Sequence, residues 1–165
     1  MKPSISKKGF FMKRGSTIFL RGVVILIGLF ILALCVFALP LAINSGQTGD
    51  YRPILFGLYV PAIPFFFALY QALKLLNYID HNQAFSVGSV SAFKFIKYSA
   101  LIISALFIAG LPYIAQVAQA DDAPGVLAIG LVIVFASFVI ATFAAVLQRL
   151  VQNAVDIKSE NDLTV

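Results

Sequence analysis

Polar and apolar residues are strongly segregated along this chain of 165 residues. Four windows contain no Asp, Glu, Lys, Arg or His, and they cover residues 22–49, 53–73, 98–120 and 123–148. The shortest window is as long as the stretch of about 20 mostly apolar residues that a helix needs to cross a bilayer. The pattern therefore predicts an all-α integral membrane bundle of four transmembrane helices that form a single domain.

The boundaries of the helices follow from turn residues and from the charges between the windows. We expect helices at about residues 16–43, 54–76, 87–120 and 126–156, followed by a short polar tail at 157–165, with Ser86 as the N-cap of the third helix. The basic segment before the first window is expected to fray or to lie on the membrane surface. The apolar run after this segment is far longer than the 7–15 residues of a cleavable signal peptide, so it is predicted to remain as an anchor.

The composition of the first window strongly favours insertion into a membrane. Fifteen Leu, Ile, Val or Phe residues lie between Val23 and Ile43. Each contributes roughly −0.3 to −0.6 kcal/mol to insertion at the helix centre, which gives a total of roughly −4 to −9 kcal/mol before end effects. No charged side chain opposes this gain.

The basic residues predict the orientation of the bundle. Eleven of the twelve Lys and Arg residues lie in the N-terminal segment, in the connection from Lys74 to Lys97, or after the fourth window. The other two loops contain only Arg52, together with three aspartates. Because short cytoplasmic loops are rich in Lys and Arg, both termini are predicted to face the cytoplasm.

Composition limits the classes of function. Apolar residues make up 61% of the chain and charged residues only 12%, about half the charged fraction of a soluble domain. The net charge of +5 is concentrated beside the first window, which favours anionic lipid over direct binding of nucleic acid. No serine elbow, P-loop or metal-spaced histidine pair occurs, so we expect no enzymatic activity, no cofactor and no metal site.

Two prolines form the first candidate feature within the membrane. Pro61 and Pro64 cannot donate hydrogen bonds to the carbonyls of Gly57 and Val60, so the second helix can kink there. Broken helices of this kind form substrate sites in some transporters. The alternative is a kink that is simply packed against a neighbouring helix.

Small residues form a second feature, at Ser137, Ala141 and Ala145 and at Ala105 and Ala109. This spacing lets membrane helices approach closely, either inside the bundle or between two copies of the chain. Proton relays and ion sites need ionisable groups within the membrane, and all four windows lack them.

The chain also contains segments that resemble a known family. They are Lys13–Ser16, Tyr78–Asp80 with Ala84–Ser86, Ala120–Gly125, and the ending Glu160–Val165. In this order they resemble the domain-of-unknown-function family of small bacterial four-helix membrane proteins. The resemblance implies a protein of the bacterial cell membrane with no established activity, often encoded beside a very small helix-turn-helix regulator.

The leading hypothesis is therefore a non-enzymatic multi-pass membrane protein that binds or signals to such a cytoplasmic DNA-binding regulator. The residues predicted to contact the partner face the cytoplasm, and they are Asp80, His81, Phe85, Ser86, Lys94, Lys97, Glu160 and Asp162. One rival is a small transporter or channel subunit that acts as a homo-oligomer, with Pro61 and Pro64 lining the path. A structural bundle without a dynamic role is the third hypothesis.

Overall fold

The first span is a long helix with one irregular segment. The computed structural model describes the backbone of residues 3–164 and the side chains of residues 14–164. Helix α1 (Pro3–Ala33) passes through a π-helical segment (Leu34–Ala38) into helix α2 (Leu39–Asn44). These three elements form the first span.

The other three spans follow after short connections. A 3-10 turn at Gly49–Tyr51 leads into α3 (Arg52–Gly57) and α4 (Tyr59–Asp80), which together form the second span. The third span is α5 (Val87–Ala120), and the fourth is α6 (Pro124–Leu163). All four are long and apolar enough to cross a membrane, so the prediction of an all-α bundle with four transmembrane helices is confirmed.

Two helix ends differ from the predicted boundaries. The first helix begins at Pro3 and not near Ser16, so the described backbone of the basic segment is helical and not frayed. That this segment lies on the membrane surface stays a prediction. The fourth helix continues to Leu163 because no Gly or Pro follows Gly130 to stop it. The side chains of Lys2, Lys7, Lys8 and Lys13, and the whole of Val165, lie outside the described residues.

The spans pack mainly in chain order. The third and fourth spans share the most extensive contact, the second packs on the third, and the first packs chiefly on the second. None of the most apolar part of the first span is buried inside the bundle. We call the end that contains Arg21, residues 74–97 and residues 148–163 the basic end, and the end that contains residues 45–52 and 121–124 the opposite end.

Small side chains fill the contact between the third and fourth spans. Ser137 and Ala141 are buried on the fourth span, as the spacing of small residues predicts. Ala105 and Ala109 are instead exposed on the outer face of the third span, so they do not pack inside the bundle, and their contact with a second copy of the chain stays a prediction. The buried small residues of the third span are instead Ser89, Ala92, Ser99, Ala100, Ser104 and Ala118.

Candidate functional site at the basic end

The connection between the second and third spans is a compact turn. Asn82 adopts a left-handed conformation with φ 57°, and its N–H donates to the carbonyl of Ile79. The N–H of Gln83 donates to the carbonyl of Tyr78 at 2.7 Å. This is the Schellman arrangement, in which two carbonyls at the end of a helix are satisfied by the following turn.

Two serines fix the start of the third span. Ser86 caps the helix as predicted, since its Oγ accepts from the N–H of Ser89 at 3.3 Å. The hydroxyl of Ser89, which is 1% exposed, donates to the carbonyl of Gln83 at 3.1 Å. The turn is thus held from both sides and presents His81 and Phe85 on its surface, where Phe85 is 61% exposed.

Asp80 has an internal partner. Its carboxylate lies 2.8 Å from the guanidinium of Arg21, and the two side chains are 21% and 35% exposed. Arg21 also donates to the side-chain oxygen of Asn77 at 3.3 Å. Asp80 therefore ties the first span to the second, and it is poorly placed to meet a separate protein.

The two lysines of the predicted partner surface have different surroundings. Lys94 is exposed. The Nζ of Lys97 instead donates to the side-chain oxygen of Gln148 on the fourth span at 2.9 Å and lies 4.8 Å from the centre of the Tyr98 ring. Lys97 thus joins the third and fourth spans, and Lys94 remains available to a partner.

The end of the fourth span completes the site. Glu160 and Asp162 are exposed on its last turns, next to two exposed apolar side chains, Ile157 (61%) and Leu163 (83%). A cavity of about 560 Å³ lies between this helix and the turn, and it brings Lys158 close to residues 82–88. The structure therefore brings Phe85 and Ser86 together with Lys158, while Glu160 and Asp162 lie outside the residues that line the cavity.

The predicted kink lies in the other half of the bundle. The second span is interrupted at Leu58, between α3 and α4, three residues before Pro61, whereas Pro64 lies inside the continuous α4. Sequence reasoning did not single out Pro40 and Tyr59, although the hydroxyl of Tyr59 donates to the carbonyl of Cys35 at 2.9 Å. A proline within an otherwise apolar helix is the sequence signal for such a contact, because it leaves a carbonyl of its own helix without a donor.

Charged and apolar side chains are mixed at the basic end. Within residues 14–164, no group of three His, Cys, Asp or Glu side chains could hold a metal ion. The site is instead a water-facing surface of mixed charged and apolar side chains on three helices, with a cavity beside the turn.

Comparison with known proteins identifies the family. The family model "Protein of unknown function (DUF2975)" matches residues 44–165. The chain belongs to this family. A relative from Bacillus subtilis (strain 168), "Uncharacterized membrane protein YoaS", is 56% identical over 162 residues, and the match covers 93% of this chain and 100% of the relative. No solved structure matches the chain.

Membership of the DUF2975 family agrees with the fold. The relative is named a membrane protein, and the four apolar spans of this chain have the length and composition for the same environment. The chain is therefore a membrane protein of a family whose function is unknown.

Proposed function

We propose that this chain is a non-enzymatic, multi-pass protein of the bacterial cell membrane that binds a small helix-turn-helix regulator at its basic end. In this proposal both termini and the turn at residues 81–86 face the cytoplasm, in accordance with the distribution of basic residues. The regulator is the class of partner that the family resemblance suggests.

The length of the fourth span carries the proposal. Its 40 residues correspond to a helix about 60 Å long, whereas the hydrocarbon core of a bilayer is about 30 Å thick. The charge-free window ends at Gln148, so the last turns of the helix extend about 20 Å beyond the hydrocarbon. Ile157 and Leu163 are therefore exposed to water and not to lipid.

A contiguous exposed apolar patch marks a surface that another protein covers. Ile157 and Leu163 support such a surface together with Phe85 and Val87, which are exposed beside the cavity that Lys158 also lines. Ile157 and Leu163 lie near charges of both signs, Lys158 and Glu160. Charges of both signs beside apolar side chains favour one protein partner in one orientation, because other partners or orientations place like charges next to each other. Regulation by sequestration needs two states of the membrane protein that differ in affinity for the regulator.

Co-purification from native membranes tests the proposal. A tagged chain is extracted in mild detergent, and soluble proteins that come with it are identified by mass spectrometry. We expect a small DNA-binding protein whose recovery falls about five-fold or more in Ile157→Ala, since a central interface side chain contributes more than about 1 kcal/mol. Ile140→Ala is the matched control, because Ile140 lies on the same helix with similar exposure, 53% against 61%, but inside the charge-free window.

Two results would overturn the proposal. One is equal recovery of the regulator with Ile157→Ala and Ile140→Ala. The other is a reporter fused to the C-terminus that is active only on the periplasmic side, which would place the extended helix away from every cytoplasmic regulator.

The alternative role as a transporter or channel subunit finds support in the interruption at Leu58 near Pro61. The two cavities beside this interruption are lined by apolar residues with the single addition of Tyr113, which does not favour a path for ions. Flux of polar solutes into liposomes that contain the purified chain tests this role.

A further inference from the structure

The first and second spans are both irregular at about the same depth in the bundle. The π-helical segment of the first span covers residues 34–38, and the second span is interrupted at Leu58. Tyr59 follows the interruption directly and donates to the carbonyl of Cys35 inside the π-helical segment at 2.9 Å. The two irregularities therefore face each other.

Pro40 explains why the carbonyl of Cys35 needs a donor from another span. In a π-helix each N–H donates to the carbonyl five residues earlier, as Leu39 does to Leu34. The next residue, Pro40, has no N–H, so the carbonyl of Cys35 lacks its partner within the helix. In a bilayer an unsatisfied carbonyl is costly, and the hydroxyl of Tyr59 takes the place of the missing donor.

A large cavity lies where the two irregular segments meet. Its volume is about 500 Å³, within the range of about 300–1,000 Å³ that is typical of ligand sites. All its lining residues are apolar and come from all four spans, among them Leu34, Ala38, Ala62, Phe107 and Ile133. A second cavity of about 280 Å³ is its neighbour, and Leu58, Pro61 and Phe107 line both cavities.

The position of this cavity determines what can enter it. Its lining residues lie within the four charge-free windows and so at the depth of the hydrocarbon. The first span packs mainly on the second and the fourth mainly on the third, which leaves the gap between the first and fourth spans as the open side. Water does not fill a cavity that offers no polar partner.

We propose that this cavity binds one fatty acyl chain of a membrane lipid, which enters from the bilayer between the first and fourth spans. An empty cavity forfeits the dispersion contacts of its lining, and an acyl chain is the apolar molecule that is abundant at this depth. The small side chains of Ala38 and Ala62 leave the space that the chain fills. This site is distant from the basic end and does not depend on the proposed regulator binding.

Photolabelling tests the site. The chain is reconstituted in nanodiscs that contain a phosphatidylethanolamine with a diazirine in one acyl chain, irradiated, and analysed by peptide mass spectrometry. We expect the cavity-lining residues Leu39, Ala62 and Phe65 to carry more label, when fragment spectra locate it within their peptides, than the outward-facing Phe135, which is 71% exposed. Ala62→Phe should reduce this labelling at least five-fold by filling the cavity.

Ala109→Phe is the matched control, because Ala109 is an exposed alanine of the third span and does not line either cavity. It should leave the labelling of residues 31–39 unchanged. Ala38→Leu fills the same cavity with a side chain smaller than Phe and should also reduce labelling. This variant replaces Ala62→Phe if Ala62→Phe does not fold. Three results would each overturn the proposal. They are equal labelling of the cavity and all outward faces, undiminished labelling in Ala38→Leu, and cross-links to a second copy of the chain at residues 31–39.

Discussion

The ion pair between Arg21 and Asp80 is predicted to hold the first span in the bundle. Arg21→Ala and Asp80→Ala each remove one charge of the pair, and the double substitution removes both. The most apolar part of the first span is not buried, and this span packs chiefly on one neighbour, the second span, so polar contacts are important for its attachment. Removal of either charge should therefore loosen the first span before the rest of the bundle.

The magnitude follows from the exposure of the two side chains. Exposed ion pairs contribute about 0.2–1 kcal/mol, and breaking a fully buried pair costs about 3–5 kcal/mol. At 35% and 21% exposure the pair lies between these limits, so we expect each single substitution to cost about 1–2 kcal/mol. Such a loss raises the undocked population of the first span roughly 5–30-fold.

A thiol-reactive fluorogenic dye provides the assay. Cys35 is the single cysteine of the chain and is half-buried in the first span. Its rate of labelling therefore reports opening of this span, and its labelling during heating reports unfolding. Asp156→Ala is the control, because Asp156 is an exposed aspartate whose hydrogen bond to Gln152 stays within one helix.

A double-mutant cycle decides whether the pair acts as a unit. If it does, Arg21→Ala and Asp80→Ala together should cost clearly less than the sum of the two single losses, with a coupling of about 0.5 kcal/mol or more. Additive losses, or labelling of Cys35 as slow as in Asp156→Ala, would refute the reasoning.

Two further substitutions test close contacts between spans. Gly88→Ala should cost about 1 kcal/mol, at the low end for overpacking, because the added methyl carbon would lie 2.6 Å from the tip of the Tyr78 ring, which must move. Thermal melting should show no such loss for Gly110→Ala, whose methyl group meets only ordinary contacts. Tyr59→Phe leaves a carbonyl unsatisfied and should cost about 1–3 kcal/mol. Melting in a Pro40→Ala background should show a smaller loss, because residue 40 then supplies an N–H, and an equal loss in both backgrounds would contradict this role for the tyrosine.

Much of the fold could be predicted from the sequence because the bilayer imposes a simple rule. A charge-free run of about 20 residues has few alternatives to a spanning helix. The helix ends in water were harder to predict. The basic segment after Pro3 and the polar segment up to Leu163 contain no sustained apolar run, and their helical state follows from continuity with a span and the lack of strong breakers.

The side-chain contacts of the candidate site were harder to predict. Which side chains meet between two helices depends on how each helix is rotated about its own axis. Sequence shows that Asp80 and Lys97 are charged and near the membrane surface. It does not show that Asp80 faces Arg21 or that Lys97 faces Gln148. The same lack of rotational information explains why Ala105 and Ala109, at a spacing suited to close packing, lie on the outer face.

Polar contacts to the second span hold the first span in the bundle. Within a bilayer, apolar side chains gain little by leaving lipid for protein, so a peripheral helix needs specific packing or polar contacts. The described part of the first span has such contacts at different depths, among them Arg21 at the basic end, the Cys35 carbonyl at mid-depth, and the Ile43 carbonyl, which accepts from Arg52 at 3.2 Å near the opposite end. Substitution of its outward apolar residues, such as Phe30, should therefore release this span far less than loss of any of these contacts.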